Sequence, residues 1–230
     1  IINPAFSINP DISDERGNTI DLGIRGNINK LISYDLTLFN LNYKDRIGFA
    51  QKEFKDGSVK SERGNIGDAI IYGLESNIDF DVNNLIIKND NISLNVFLNT
   101  AIIDSEYIRS EENGVIGKKV EFVPNYNIKT GIKLGIGNFI FNTQYSHVST
   151  QFTDSSNAKE GNISGIIGEI PGYSLLDFSI AYRLKKIKIE TGINNLTNTY
   201  YFTRRATGYP GPGIIPSPPR NSYLTLQIRF

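Results

Sequence analysis

The stretch AIIYGLESNIDFDV, Ala69 to Val82, alternates between apolar and polar side chains with a period of two residues. Because successive side chains of a β-strand point to opposite faces, this pattern predicts a strand with one apolar and one polar side. The segment is about twice as long as the roughly 5–6 residues of an ordinary soluble strand, which suits a strand crossing a bilayer at a tilt. We expect one register to face away from the concave side of a sheet and the other to face into it: Ile70, Leu74, Ile78 and Phe80 against Glu75, Asp79 and Asp81.

The same alternation recurs along the whole chain and predicts nine strands in total. One segment, Leu31 to Arg46, shows a phase break near Phe39 that indicates either a bulge or the membrane edge. The other seven segments keep one phase: Ile20–Arg25, Ile92–Asn99, Tyr126–Leu134, Phe139–Ser146, Leu176–Leu184, Ile187–Asn194 and Leu224–Phe230.

The connections between these strands alternate strictly between short and long. The short ones are Gly26–Lys30, Asn83–Asp90, Gly135–Asn138 and Lys185–Lys186, and the long ones are roughly Ile47–Ile66, Glu106–Asn125, Thr153–Gly172 and Thr199–Arg220. In an antiparallel up-and-down meander this places every short turn at one end, as in a transmembrane β-barrel. The predicted fold is therefore all-β, with about nine long strands. A soluble β-sandwich is a distant alternative, because nothing in the connections indicates a Greek key.

Composition narrows the function classes. The chain has 230 residues, with 24 Lys and Arg against 24 Asp and Glu, one His and no Cys or Met. A nucleic-acid protein needs a basic stripe, so the balanced charge argues against one. Without Cys and with only His147, the sequence offers no thiol nucleophile, zinc finger or catalytic triad. Lumen-facing polar positions explain Asp79 and Asp81 better than a hydrolase pair does. The sequence therefore predicts no enzyme, and no catalytic, cofactor or resident metal site.

The C-terminal sequence NNLTNTYYFTRRATGYPGPGIIPSPPRNSYLTLQIRF, Asn194 to Phe230, closely resembles the end of TonB-dependent outer-membrane receptors, especially those like the ferric-dicitrate receptor. NPDISDERGNTIDLGIRG, Asn9 to Gly26, and GDAIIYGLESNIDF, Gly67 to Phe80, resemble the start of one barrel strand and the body of another in the same family. The resemblance covers essentially the whole chain. One departure is PSPPR at Pro216–Arg220, where the family often has PSDGR, so the tip of this loop is expected to differ.

The resemblance implies a bacterial outer-membrane location and a larger whole. The family fold is a barrel of roughly 22 strands with an N-terminal plug in its lumen. Residues 1–230 are then expected to be one domain, the C-terminal portion of the barrel, with the plug and the TonB box outside it. The implied partners are a ferric chelate, the TonB complex through the missing N-terminal region, outer-membrane lipid, and the barrel assembly machinery through Phe230.

Three arginines are the candidate ligand-binding residues. Arg204 and Arg205 lie in the last long connection between aromatic residues, and Arg63 lies in the first. An arginine guanidinium can bind one carboxylate through two parallel hydrogen bonds, and a ferric-citrate-like ligand is anionic and rich in carboxylates. A solvated or plug-facing arginine pair is the alternative. Arg109, Lys118 and Lys119 are weaker candidates.

The strand pattern and the resemblance together leave two functions open. The first is TonB-dependent uptake of a ferric chelate such as ferric citrate or a similar siderophore. The second is a passive porin or another barrel without energy coupling.

Overall fold

The computed structural model describes residues 6–54, 59–84, 91–206 and 212–230. Fourteen strands occur within these ranges. Their bounds are β1 (Phe6–Ile8), β2 (Arg16–Ile28), β3 (Ile32–Glu53), β4 (Val59–Asp81), β5 (Ile92–Ser110), β6 (Tyr126–Ile136), β7 (Phe139–Val148), β8 (Gln151–Phe152), β9 (Glu169–Ile170), β10 (Tyr173–Leu184), β11 (Ile187–Asn194), β12 (Phe202–Ala206), β13 (Gly213–Pro216) and β14 (Asn221–Ile228). Among the described residues, no helix has the length and hydrophobicity needed to cross a membrane.

Nine of these strands form the predicted meander. The order across the sheet is β2-β3-β4-β5-β6-β7-β10-β11-β14, and every neighbouring pair is antiparallel. The fold class is therefore confirmed. Three features go beyond the prediction: β1 pairs in parallel with β4, and β8-β9 and β12-β13 form two small ribbons. β2 and β14 are the two end strands of the sheet.

The two registers face opposite sides, as the alternation predicts. Ile70, Leu74, Ile78 and Phe80 are half-buried and lie outside the buried apolar cluster of the molecule. On the two end strands of the sheet, β2 and β14, the apolar face is open, with Ile20 68%, Leu22 71% and Leu224 75% exposed. A face that is both apolar and open suits lipid rather than water. The polar register lines the other side: Glu75, Asn77, Asp35, Asn99 and Lys129 border one cavity of about 490 Å³.

The short turns are tight and use left-handed backbone conformations. Lys185 has φ 49° between β10 and β11, and Gly137 has φ 56° between β6 and β7. Asn29 and Lys30, between β2 and β3, have φ 49° and 59°. Positive φ matches the right-handed twist of the two strands that such a turn joins. The fourth predicted short connection lies partly outside the described residues.

Tyr182 and two phenylalanines form an aromatic group near the short turns. The rings of Phe139 and Tyr182 are 4.8 Å apart and those of Phe139 and Phe141 6.2 Å apart, measured between centroids. All three lie on the apolar register of β7 and β10. Aromatic side chains of this kind sit at the boundary between lipid and water in transmembrane barrels.

The first long connection differs from its prediction. The sequence predicts a loop over Ile47–Ile66, but β3 and β4 continue through it as a hairpin, with Phe49 opposite Arg63. Only the segment between Glu53 and Val59 connects the two strands. The sequence of this stretch is polar and contains glycines, which is why it predicts a loop. The hairpin is stabilised by contacts with distant segments of the chain, described below.

The phase break at Phe39 is not a bulge. Phe39 pairs without interruption with Asp21 on one side and Gly73 on the other. The register shifts occur higher, after Tyr43 on β3 and after Asp68 on β4. Beyond Phe39 the outward positions turn polar, which agrees with the membrane-edge interpretation.

Candidate ligand-binding site

The long-loop end of the sheet contains the buried apolar cluster of the described residues. The upper hairpin of β3 and β4, the tip of β5 and the segment 111–125 meet there. The cluster consists of Ala50, Ile66, Ala69, Tyr107, Val115 and Val120. Backbone bonds hold the segment against β5, with the Tyr107 amide donating to the Lys118 carbonyl over 2.9 Å. This end is thus packed like a small protein core, unlike the open apolar face below it.

A buried carboxylate joins the parts of this end together. Glu121 is 1% exposed by its side chain, and its Oε1 lies 3.1 Å from Nη1 of Arg46, whose side chain is 17% exposed. The same Oε1 accepts the Phe49 amide at 3.0 Å, and Oε2 accepts the Tyr107 hydroxyl at 2.7 Å. Arg46 also donates to the Tyr107 hydroxyl at 2.8 Å. Both carboxylate oxygens are satisfied, which a buried charge requires.

Gly48 leaves the space for this carboxylate. A Cβ added at Gly48 would lie 2.0 Å from Oε1 of Glu121 and 3.0 Å from the Tyr107 hydroxyl. The close approach of the hairpin to Glu121 therefore depends on the missing side chain at this position.

The segment between β8 and β9 closes over the hairpin. The Ser155 amide donates to the Phe49 carbonyl at 2.9 Å, and the Thr153 hydroxyl donates to the Gly168 carbonyl at 2.8 Å. Oδ1 of Asp154 accepts the Ser156 amide at 2.9 Å. Oδ2 of Asp154 is buried without a hydrogen-bond partner among the described residues. Burial therefore raises the pKa of the Asp154 carboxyl above its ordinary value.

This raised pKa predicts a pH dependence of the segment around Asp154. A raised folded-state pKa contributes stability that is present below the ordinary carboxyl value and is lost as pH rises through the raised value. We expect the protection factors of the amides at 153–157, in which the pH dependence of intrinsic exchange is divided out, to rise as the pH is lowered from neutral towards the ordinary carboxyl range. Asp154→Asn should raise these protection factors at neutral pH and remove their pH dependence. Asp14→Asn, at an exposed position, is the control, and an unchanged pH profile in Asp154→Asn would contradict the assignment.

Arg205, on β12, forms hydrogen bonds with the segment between β8 and β10. Its Nε and Nη2 donate to the Glu169 carbonyl at 3.1 and 2.9 Å, and Nη1 donates to the Gly165 carbonyl at 2.9 Å. Its guanidinium carbon also lies 5.2 Å from the centre of the Phe202 ring. Burial lowers the pKa of this guanidinium from its usual value, and it remains a cation at physiological pH. Arg205 thus holds the ribbon β12-β13 against the segment that precedes β10.

A cavity of about 410 Å³ opens among these segments. We call it the mouth cavity. Its lining combines two aromatic rings, three hydroxyls, one aliphatic side chain and two guanidinium groups: Phe49, Phe122, Ser61, Thr153, Thr203, Ile166, Arg204 and Arg205. The rings of Phe49 and Phe122 meet edge to face at 6.3 Å. Mostly apolar walls with a few convergent polar groups are typical of small-molecule sites.

The family model described as "TonB dependent receptor-like, beta-barrel" matches residues 2–196. The chain belongs to this receptor family. Its members are outer-membrane β-barrels, and the chain is therefore located in the bacterial outer membrane. The family also supports the prediction that the chain is part of a receptor and not of an enzyme.

Solved receptors share the fold of this TonB-dependent receptor barrel. The ferric citrate transporter FecA in its unliganded form superposes with a TM-score of 0.76 at 24% identity, over 94% of this chain and 31% of that one. The ferric yersiniabactin uptake receptor FyuA from Yersinia pestis gives 0.69 at 18% identity, over 94% and 30%. The copper transporter OprC gives 0.69 at 18% identity, over 96% and 32%. The chain spans about a third of the length of each of these proteins.

The structure brings two of the three candidate arginines of this receptor barrel to one cavity. Arg204 is exposed and Arg205 half-buried, and both line the mouth cavity. Arg63 is exposed on β4, two residues from Ser61 on the same face of the strand, and it does not line the cavity. Ligand binding by these three residues stays a prediction.

Two of the three weaker cationic candidates form ion pairs with carboxylates of the receptor barrel. Nε of Arg109 lies 2.7 Å from Asp68, and its Nη2 lies 3.0 Å from Asp45. Lys119 is ion-paired with Asp104. Lys118 is exposed.

The remaining lining residues were missed by sequence reasoning. Phe49, Phe122, Thr153 and Ile166 come from three different segments of the chain, and no local motif marks any of them. Their convergence depends on the folded hairpin and on Glu121. No group of three or more His, Asp or Glu side chains within the described ranges is placed to hold a metal ion.

Proposed function

We propose that this chain is the C-terminal part of the barrel of a receptor that imports a ferric chelate, of the ferric-citrate kind, with energy supplied through TonB. The observation that carries the proposal is the mouth cavity, where Arg204 and Arg205 meet two aromatic rings at the long-loop end of a TonB-dependent receptor barrel. One solved protein of this fold is a ferric citrate transporter, which supports the choice of chelate.

The chemistry of the mouth cavity suits a carboxylate-bearing anion. Glu169 is the acidic residue that acts on the charge of Arg205, but its backbone carbonyl, not its carboxylate, accepts the hydrogen bonds of the guanidinium. The guanidinium of Arg204 is exposed and forms no ion pair with the described residues. A guanidinium in this state can bind a ligand carboxylate through two parallel hydrogen bonds. The hydroxyls of Ser61 and Thr203 supply further donors.

The other proposed partners act at the opposite end or outside this chain. The TonB complex would act through the N-terminal region of the whole receptor. Phe230 follows β14 and is fully exposed at the short-turn end. We propose that the barrel assembly machinery recognises the final strand through this aromatic residue, and that outer-membrane lipid covers the apolar register.

Uptake by the full-length receptor in cells tests this function. We expect energy-dependent uptake of radiolabelled ferric dicitrate, abolished by a protonophore, and little uptake of a neutral trihydroxamate chelate. Uptake that continues at the same rate in de-energised cells would support a passive porin and overturn the proposal. Preference for the neutral chelate would overturn the assignment of an anionic, carboxylate-rich substrate.

A further inference from the structure

The charged residues on the inner face of the sheet are segregated by sign. Below the register shifts near Tyr43 and Ala69, the ladders place five carboxylates on the inner face of β2, β3 and β4, against one arginine, Arg25: Asp21, Asp35, Glu75, Asp79 and Asp81. They place four cations on the inner face from β6 to β11, against Asp177 and Glu190, and a fifth, Arg229, borders a cavity with two of them just after β14: Lys129, Lys133, Arg183, Lys188 and Arg229. β5 and β7 contribute no charged side chain to this face of the sheet. The inner face of this part of the sheet is therefore acidic on β2–β4 and basic from β6 onwards, and the two regions meet at the cavity that Asp35, Glu75 and Lys129 border.

Within the described ranges, most cations of the basic side have no ion pair. Among the described residues, Lys188 is the one cation of the five with an ion pair, to Glu190 at 2.5 Å. Asp177 instead accepts the Asn195 amide at 2.8 Å. At the short-turn end, Arg183, Lys188 and Arg229 border a cavity of about 180 Å³ together with Lys185 and Lys186 of the turn. Such a concentration of one sign attracts anions.

The cations of the basic side are spread along the height of the wall. Lys129 pairs with Asn99 and is also opposite Ser146, in the upper part of β6. Lys133 is four residues lower, which corresponds to roughly 13 Å along a strand. Arg183 lies at the short-turn end, where its amide bonds to the Asn138 carbonyl at 2.9 Å. We call the five cations together the basic strip, which leads from below the mouth cavity to the short-turn end.

We propose that the anionic chelate crosses the barrel along the basic strip and not along the acidic side. The inference rests on the proposed function, because it requires an anionic substrate. At the acidic side the same anion meets the carboxylates of Asp35, Glu75 and Asp79, which repel it over distances of about 8 Å at physiological salt. Cations spaced along the strip attract the anion at each stage. No single site among them encloses it, so it can leave for the next.

Charge reversal in the full-length receptor tests the route. The variant Lys129→Glu/Lys133→Glu changes the basic strip below the mouth cavity, and Glu75→Gln/Asp79→Asn neutralises the acidic side as the matched control. Two quantities are measured: the affinity for ferric dicitrate on de-energised cells, and its uptake rate on energised cells. We expect the basic-strip variant to bind as tightly as the wild type but to take up the chelate at least about tenfold more slowly, as steering charges affect rates by about 10-fold or more. The control should transport at the wild-type rate or faster.

The outcomes separate this inference from the proposed function. A wild-type receptor that fails to bind ferric dicitrate overturns both. Wild-type binding and uptake, with normal uptake in the basic-strip variant or an equal loss in both variants, overturns the route alone. Lys129→Gln/Lys133→Gln, with a smaller change, covers the case in which charge reversal prevents barrel assembly, and should slow uptake by an intermediate factor. Retention of the compact, heat-modifiable barrel on electrophoresis is the check on folding.

Discussion

Glu121→Ala is expected to destabilise the long-loop end by about 3–5 kcal/mol, the usual cost of removing one partner of a buried ion pair. The substitution leaves the guanidinium of Arg46 buried without its carboxylate. It also leaves the Phe49 amide and the Tyr107 hydroxyl without their acceptor. Because the membrane-spanning part of the sheet makes none of these contacts, we expect local opening rather than loss of the barrel.

Hydrogen exchange of the assembled receptor measures this effect. Exchange should accelerate in the upper hairpin, at the tip of β5 and in the segment 111–125, while β10 and β11 keep their protection. Glu112→Ala is the matched control, since Glu112 pairs with Lys52 at the surface, where both side chains are about a third exposed. Exposed pairs contribute about 0–1 kcal/mol, so the control should exchange almost as the wild type does. Equal effects of the two variants would contradict the central role of Glu121.

Arg204→Ala/Arg205→Ala in the full-length receptor is expected to weaken ferric dicitrate binding at least tenfold while the barrel still assembles. A charge-assisted hydrogen bond contributes about 1.5–3 kcal/mol, and about 1.4 kcal/mol already corresponds to a factor of ten. Equilibrium binding to de-energised cells is the measurement. Unchanged affinity would mean that both arginines are structural.

The two single variants separate direct binding from support of the cavity. Arg205→Ala removes the three bonds to the Gly165 and Glu169 carbonyls, so it should also speed exchange between β8 and β9. Arg204→Ala removes an exposed cation of the mouth cavity and should reduce affinity without altering exchange. Arg204→Lys keeps the charge but loses the paired donors, and it should fall between wild type and Ala if the ligand presents carboxylates.

Much of the fold was predictable because lipid on one side and water on the other impose the same period-two pattern on every strand. The faces of β4 and the tight turn at Lys185–Lys186 follow from that pattern alone. The continuation of the hairpin over Ile47–Ile66 did not follow, because its stability comes from Glu121, far away along the chain. The sequence alone does not distinguish a glutamate that is buried by tertiary contacts, such as Glu121, from a solvated one.

The candidate site was predictable only in part. Arg204 and Arg205 stood out through a resemblance in the terminal segment and through their charge. The sequence did not reveal that Arg205 is bound to other segments while Arg204 is exposed. The partners of Arg205 are backbone carbonyls, which every residue possesses. Sequence could therefore place two arginines at the mouth without distinguishing the exposed one from the one that joins two segments.

The unbroken ladders also restrict how the length of this gene can vary. Loss of a single codon within β6 would exchange the two faces of the strand beyond it and turn Lys133 towards lipid, at a cost of roughly 2–4 kcal/mol near the midplane. Loss of two codons restores the faces. Within the membrane-spanning strands, insertions and deletions should therefore survive in even numbers of residues.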